Sequence, residues 1–257
     1  MTKLRRRLVP YGLLGPGAIW LLLFFAVPMY FMGEMALRSG SLDTGGFAFS
    51  WEWANFSDAL SGSDEQIVRS FVYAGLATVI ALLIAYPLAY AIALRAGRWK
   101  LLLLFAVVAP FFTTYLIRTI AWKTILADAS PAVDVLQFLQ LVPQDGRVLA
   151  TGGAVVAGLT YNFLPFMILP IYASLERMDV RLIEAAKDLY ASGAKAFLKV
   201  TLPISAPGIV AGILLTFIPA VGDYVNALLL GGTGQSMVGN VIQSLYLQQR
   251  DYPEAAA

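Results

Sequence analysis

Apolar positions gather in five long runs, over residues 11–37, 66–94, 101–126, 149–175 and 204–230, and shorter polar stretches separate them. Each run is long enough to cross a hydrocarbon core about 30 Å thick as a helix, the one element that satisfies its own backbone groups there without closing into a barrel. The pattern predicts an all-α, polytopic transmembrane helical bundle forming a single domain over residues 1–257, with five spans visible. The longest polar stretch, 176–203, has its own pattern: Leu182, Ile183, Ala186 and Leu189 recur at helical spacing. This gives a short amphipathic helix, broken at Ser192-Gly193. Ala194, Phe197 and Leu198 open a second helix, which Pro203 ends at the entry to the next span.

The short loops fix the orientation, because Lys and Arg concentrate on the cytoplasmic side. With the N-terminus inside, the inner segments hold Lys3, Arg5, Arg6, Arg7, Arg95, Arg98, Lys100, Arg177, Arg181, Lys187, Lys195 and Lys199. The outer ones hold Arg38, Arg69, Arg147 and Arg250, together with acids such as Asp43, Glu52, Asp58, Asp64, Glu65, Asp128, Asp134 and Asp145. The first apolar run is longer than the core of a signal peptide and no small-x-small site follows it, so it is expected to be a retained span. The chain then ends outside, at Asp251-Tyr252-Pro253-Glu254, and a sixth span is expected beyond Ala257.

Composition narrows the class. Of 257 residues 59% are hydrophobic and 13% charged, about half the charge of a soluble domain, and mean hydropathy is +0.72. Disordered, fibrous and nucleic-acid-binding classes are excluded. With neither Cys nor His, the chain lacks thiolates, imidazole bases and the usual zinc, haem and iron–sulfur ligand sets, so no metal site is expected. It also lacks the G-x-x-x-x-G-K-[ST] loop that cradles nucleotide phosphates.

The amphipathic helix in 176–203 admits two readings: an interfacial helix lying on the membrane, or a knob docking into a groove of a separate cytoplasmic protein. Its sequence carries a resemblance. Glu184-Ala185-Ala186, followed at fixed spacing by position 190, Val200 and Leu202-Pro203, resembles the EAA loop of inner-membrane subunits of binding-protein-dependent ABC importers. AYPLAYAIA (85–93), LIRTIAWKTIL (116–126), LPFMILPIYASLE (164–176) and GNVIQ (239–243) look like the spermidine/putrescine permease branch. The resemblance implies a non-enzymatic permease in a bacterial inner membrane, one half of a heteromeric pore, importing a polyamine. Its implied partners are two copies of a cytoplasmic ABC ATPase that holds Mg-ATP, a second homologous permease subunit and an external substrate-binding protein. No cofactor is implied in this chain. The coupling residues it implies are Glu184, Ala185, Ala186, Asp188, Tyr190, Gly193, Leu202 and Pro203. Tyr190 stands where the family usually has Gly, so the turn is expected to move to Ser192-Gly193. Related branches for iron, thiamine or phosphonates share the docking loop.

Charges inside spans cost about 2.5–3.5 kcal/mol each at the bilayer centre and mark candidate function. On straight helices Arg118 lies about 27 Å from Lys100 and Asp223 about 27 Å from Ser205, both in the outer third, with Lys123 snorkelling further out. Arg118 and Asp223 form an ion pair or snorkel separately, or else Asp223, beside Pro219, Gly222, Tyr224 and Asn226, faces a vestibule that admits a cationic substrate. Arg118, Trp122, Tyr161, Asp223, Tyr224 and Asn226 are the candidate substrate path. Tyr86 and Tyr90 could likewise stack on an ammonium or serve packing. Gly75, Gly158 and Gly212 are expected at helix contacts. An embedded hydrolase fits poorly without His or facing midplane carboxylates, and an ion-coupled carrier would show more spans and an inverted repeat.

Overall fold

The computed structural model describes residues 13–42, 45–140, 142–143 and 146–257. The basic cluster Lys3, Arg5, Arg6 and Arg7, and the acids Asp43 and Asp145, lie outside the described residues. The chain forms two compact units, Met1–Asp64 with Val241–Ala257, and Glu65–Asn240.

The first unit is built on α1 (Leu13–Ala36), none of whose most apolar window is buried within the chain. A helix apolar all round is stable only where lipid or other protein covers it. Its end is capped from a distance: Asn55 Nδ2 donates to Ala36 O at 2.8 Å and Arg38 O at 2.9 Å. An antiparallel hairpin follows, β1 (Arg38–Ser41) on β2 (Gly46–Phe49), paired Arg38 with Phe49 and Ser41 with Gly46. Gly40 permits the closure, since its φ is +111° and a Cβ there would lie 2.4 Å from Gly46 O. The short helices α2 (Ala54–Gly62) and α12 (Tyr252–Ala256) complete this unit. The hairpin is the one departure from an all-helical pattern among the described residues.

In the second unit α3 (Asp64–Leu94) buries an alanine stripe, Ala74, Ala77, Ala81, Ala85 and Ala89, at spacings of three and four. Small side chains on one face let other helices approach closely. The central element is α7 (Gly152–Glu176), with 67% of its most apolar window buried. Val155, Leu159 and Phe163 pack with Ala74, Ala77 and Ala220, while Met167, Ile168, Ile171 and Leu175 pack with Ala81, Ala85 and Ala89. Along α7 runs α9 (Gly193–Val221). A Cβ on Gly208 would lie 2.5 Å from Pro170 O, and one on Gly212 2.8 Å from Met167 Sδ, so both glycines set this helix spacing. Gly158 does the same toward Leu230, at 2.4 Å, whereas Gly75 faces open space and is not a contact residue. Lys100 is ion-paired with Glu176, joining the start of α4 to the end of α7.

Four helices are long and apolar enough to cross a membrane, and a bent pair makes a fifth. The five runs are therefore present, with three corrections. The third is not straight: α4 (Gly97–Phe112) and α5 (Tyr115–Ile125) meet at 95°. Thr113 and Thr114 are extended there, with ψ 146° and 148°. Thr113 Oγ1 and N both donate to Pro110 O, at 2.7 and 3.2 Å, closing the helix end with a side chain that competes for the carbonyl. The 27 Å depth for Arg118 thus does not hold. Second, the fifth run breaks at Gly222-Asp223-Tyr224, where α9 gives way to α10 (Val225–Leu230). Third, Pro203 ends nothing. The helix from Gly193 runs through it, preceded by a π turn at Phe197–Thr201 in which Leu202 N donates to Phe197 O five residues back. The remaining short helices are α6 (Pro131–Phe138) and α11 (Val238–Ser244).

Candidate functional site

Between α7 and α9 stands α8 (Arg181–Asp188). Its N-terminal turn is supported by Asp179 Oδ1, which accepts from Arg181 N at 3.0 Å. Its C-terminus closes with two bonds, Tyr190 N to Lys187 O at 2.9 Å and Ala191 N to Ala186 O at 3.0 Å. This is the Schellman pattern, which requires a left-handed residue at the first position past the cap, usually Gly. Tyr190 takes that place with φ +60°. The turn expected at Ser192-Gly193 is therefore not displaced: Ser192 instead caps α9, its Oγ accepting from Lys195 N at 3.4 Å, and Gly193 is the first helical residue. A non-glycine residue in this conformation costs roughly 1–2 kcal/mol.

The apolar stripe of α8 is not buried. Leu182 is 47% exposed, Leu189 82% and Tyr190 97%. Glu184, Ala185 and Asp188 are exposed and Ala186 half-buried, so the whole Glu184–Tyr190 stretch is presented outward. Leu202 and Pro203 lie on α9, half-buried and exposed respectively.

A second constellation lies inside the bundle. From α5 come Tyr115 and Thr119, from α7 Asn162, from the break Asp223, and from α10 Asn226. Asp223 Oδ1 accepts from Asn226 N at 2.8 Å and Nδ2 at 3.2 Å, and Tyr115 Oη donates to Asp223 Oδ2. Asn226 Nδ2 donates to Tyr115 Oη at 2.6 Å. Asn162 Nδ2 reaches Asn226 Oδ1 and Thr119 Oγ1, each at 3.2 Å. Asn162 and Asn226 are almost wholly buried, and Asn162 Oδ1 has no partner. Gly158 makes room for this group, since a Cβ there would lie 2.6 Å from Asn226 Oδ1.

Of the six candidate path residues, Asp223 and Asn226 join this cluster. Arg118 does not pair with Asp223. Its guanidinium lies 4.6 Å from the Phe111 ring centre and 5.7 Å from that of Tyr115, with Nε and Nη1 buried and unbonded. Tyr115 takes the carboxylate that an ion pair would have used. Trp122 packs on Tyr161 at 5.3 Å, and Tyr224 is 42% exposed. Arg118 and Tyr161 line a mainly apolar cavity of about 300 Å³ with Leu88, Val107, Pro110 and Ile168. Tyr86 is bonded to Ser205 Oγ at 2.9 Å, and both Tyr86 and Tyr90 pack edge-on to Phe197. Tyr115, Thr119 and Asn162 escaped the sequence reading. An amide inside a 25-residue apolar helix is the signal that would have found Asn162.

No protein-family model matches the chain. It is 39% identical over 241 residues, 93% of this chain and 83% of the other, to the spermidine/putrescine transport system permease protein PotB of Haemophilus influenzae. It is 38% identical over 193 residues, 75% and 70% of the two chains, to PotB of Escherichia coli strain K12. Identity to the inner membrane ABC transporter permease protein YdcU of the same strain is 34% over 203 residues, 74% and 64%. Among solved structures, a bacterial ABC transporter involved in the import of the acidic polysaccharide alginate aligns with TM-score 0.60 at 20% identity, covering 98% of this chain and 88% of that one. Fold and sequence agree: the chain belongs to the spermidine/putrescine permease family of ABC importers, as a multi-pass membrane subunit.

Proposed function

We propose that this permease forms half of a translocation path for a polyamine delivered by an external binding protein, and that α8 couples it to a cytoplasmic ATPase. The observation that carries the reading is the outward presentation of Glu184, Ala185, Leu189 and Tyr190 on a helix with no core of its own. An exposed amphipathic helix with small residues at its centre suits a groove on another protein. The chain has no nucleotide-binding loop, so ATP hydrolysis falls to the partner, present as two copies that hold Mg-ATP. A second permease subunit completes the path.

The N-terminus is placed in the cytoplasm. Arg95, Arg98, Lys100, Arg177, Arg181, Lys187, Lys195 and Lys199 all fall on the side of α8, as the positive-inside rule asks of a cytoplasmic face. Within the path, the carboxylate of Asp223 and the exposed ring of Tyr224 suit an organic cation, and Asn226 and Tyr115 hold that carboxylate in place.

Mild-detergent purification of the complex, with the ligand of the co-purified binding protein identified by mass spectrometry, tests both partner and substrate. An ATPase, a second permease and bound spermidine or putrescine are expected. Recovery of a metal, thiamine or phosphonate ligand would move the chain to another branch.

A further inference from the structure

We infer that Tyr190 is an anchor residue that selects the docked ATPase subunit, its phenol ring occupying a pocket on that subunit. The inference rests on the docking reading of α8 and deepens it.

The backbone at Tyr190 is left-handed, the conformation glycine adopts without steric cost, and the family pattern usually places glycine there. The Schellman bonds from Tyr190 N and Ala191 N hold it so. A strained residue is kept where something outside its own backbone uses it. Nothing within the chain does: the ring is 97% exposed, and Leu189 beside it 82%. A pocket on another molecule is therefore what the side chain serves. Two surfaces compete for that role. A bilayer is fluid and accepts an aromatic ring in many orientations, so it requires no strained backbone. A shaped protein pocket needs one fixed orientation, which the two capping bonds supply. Tyrosine is among the residues that dominate interface energetics, because it buries a large rigid area and keeps one polar atom for a hydrogen bond. Glu184, Lys187 and Asp188 on α8 then form the polar rim, next to the surface already assigned to the ATPase.

The test is titration of the co-purified ATPase subunit onto the assembled permease pair in nanodiscs. Tyr190→Gly relaxes the turn, so membrane yield is preserved. Its affinity for the ATPase is expected to fall about tenfold or more, while Tyr190→Phe stays within about threefold of the unmodified chain. Unchanged affinity in Tyr190→Gly overturns the inference. Ala186→Trp in parallel separates the two levels: if it abolishes binding while Tyr190→Gly does not, docking stands and the anchor falls. If neither variant weakens binding, docking itself fails. Because the chain has no cysteine, Tyr190→Cys supplies its single thiol. Labelling by a water-soluble maleimide should be blocked by added ATPase. Blocking by the bilayer before any ATPase is added would assign the residue to lipid and overturn the inference.

Discussion

Asp223 is 8% exposed in a chain with little water to solvate a carboxylate, and its stability depends on the hydrogen bonds aimed at it. Tyr115 and Asn226 provide them, and Arg118 does not. The two arrangements predict different couplings. Tyr115→Phe removes a donor to a buried charge and should destabilise the bundle by about 1–3 kcal/mol, read as lost yield or lowered Tm. Combined with Asp223→Asn it should be clearly non-additive, because the partners are in contact. Arg118→Gln with Asp223→Asn should add, with no rescue. Rescue by that double would instead reveal an ion pair. Should Asp223 also meet the substrate, Asp223→Asn lowers initial polyamine uptake more than it lowers assembled complex. Sequence alone exposed Asp223 and Asn226 as polar residues in an apolar run. It could not expose Tyr115, whose role depends on a 95° bend that brings a separate helix to the break after α9.

At the scale of elements, the apolar runs were legible because lipid imposes one demand on every residue of a span, so length and hydropathy suffice. Breaks within spans were less so. Pro87, Pro165, Pro170 and Pro207 sit inside long helices without ending them, whereas a Thr113 side chain bonded to Pro110 O ends α4. Neighbouring helices and local side chains decide such cases, and a linear pattern does not display them. The glycines make the same point in a testable form. Gly208→Leu would drive a side chain into Pro170 O and Ser174, and Gly158→Leu into Leu230 and Asn226, so both should abolish assembly. Gly75→Ala meets nothing within 4 Å and should leave thermal stability within about 0.5 kcal/mol. Membrane yield and Tm of the three variants check this. A loss with Gly75→Ala equal to the other two would mean that another subunit covers that face.

For the molecule as a whole, the apolar surface of α1 and the exposed ridge on α8 are faces that the chain does not cover itself. Lipid covers the first or a second permease does; the account gives the second to an ATPase, which makes transport a property of an assembly. Coupling through α8 is the central claim, and proteoliposomes holding the complete complex with its binding protein test it most directly. ATP hydrolysis and labelled spermidine uptake are measured together for the unmodified chain and for Ala186→Trp. The account predicts ATP-dependent uptake by the first. In Ala186→Trp, with membrane insertion normal, both uptake and substrate-stimulated hydrolysis should fall at least about tenfold. Uptake and stimulated hydrolysis that survive the substitution unchanged would contradict it.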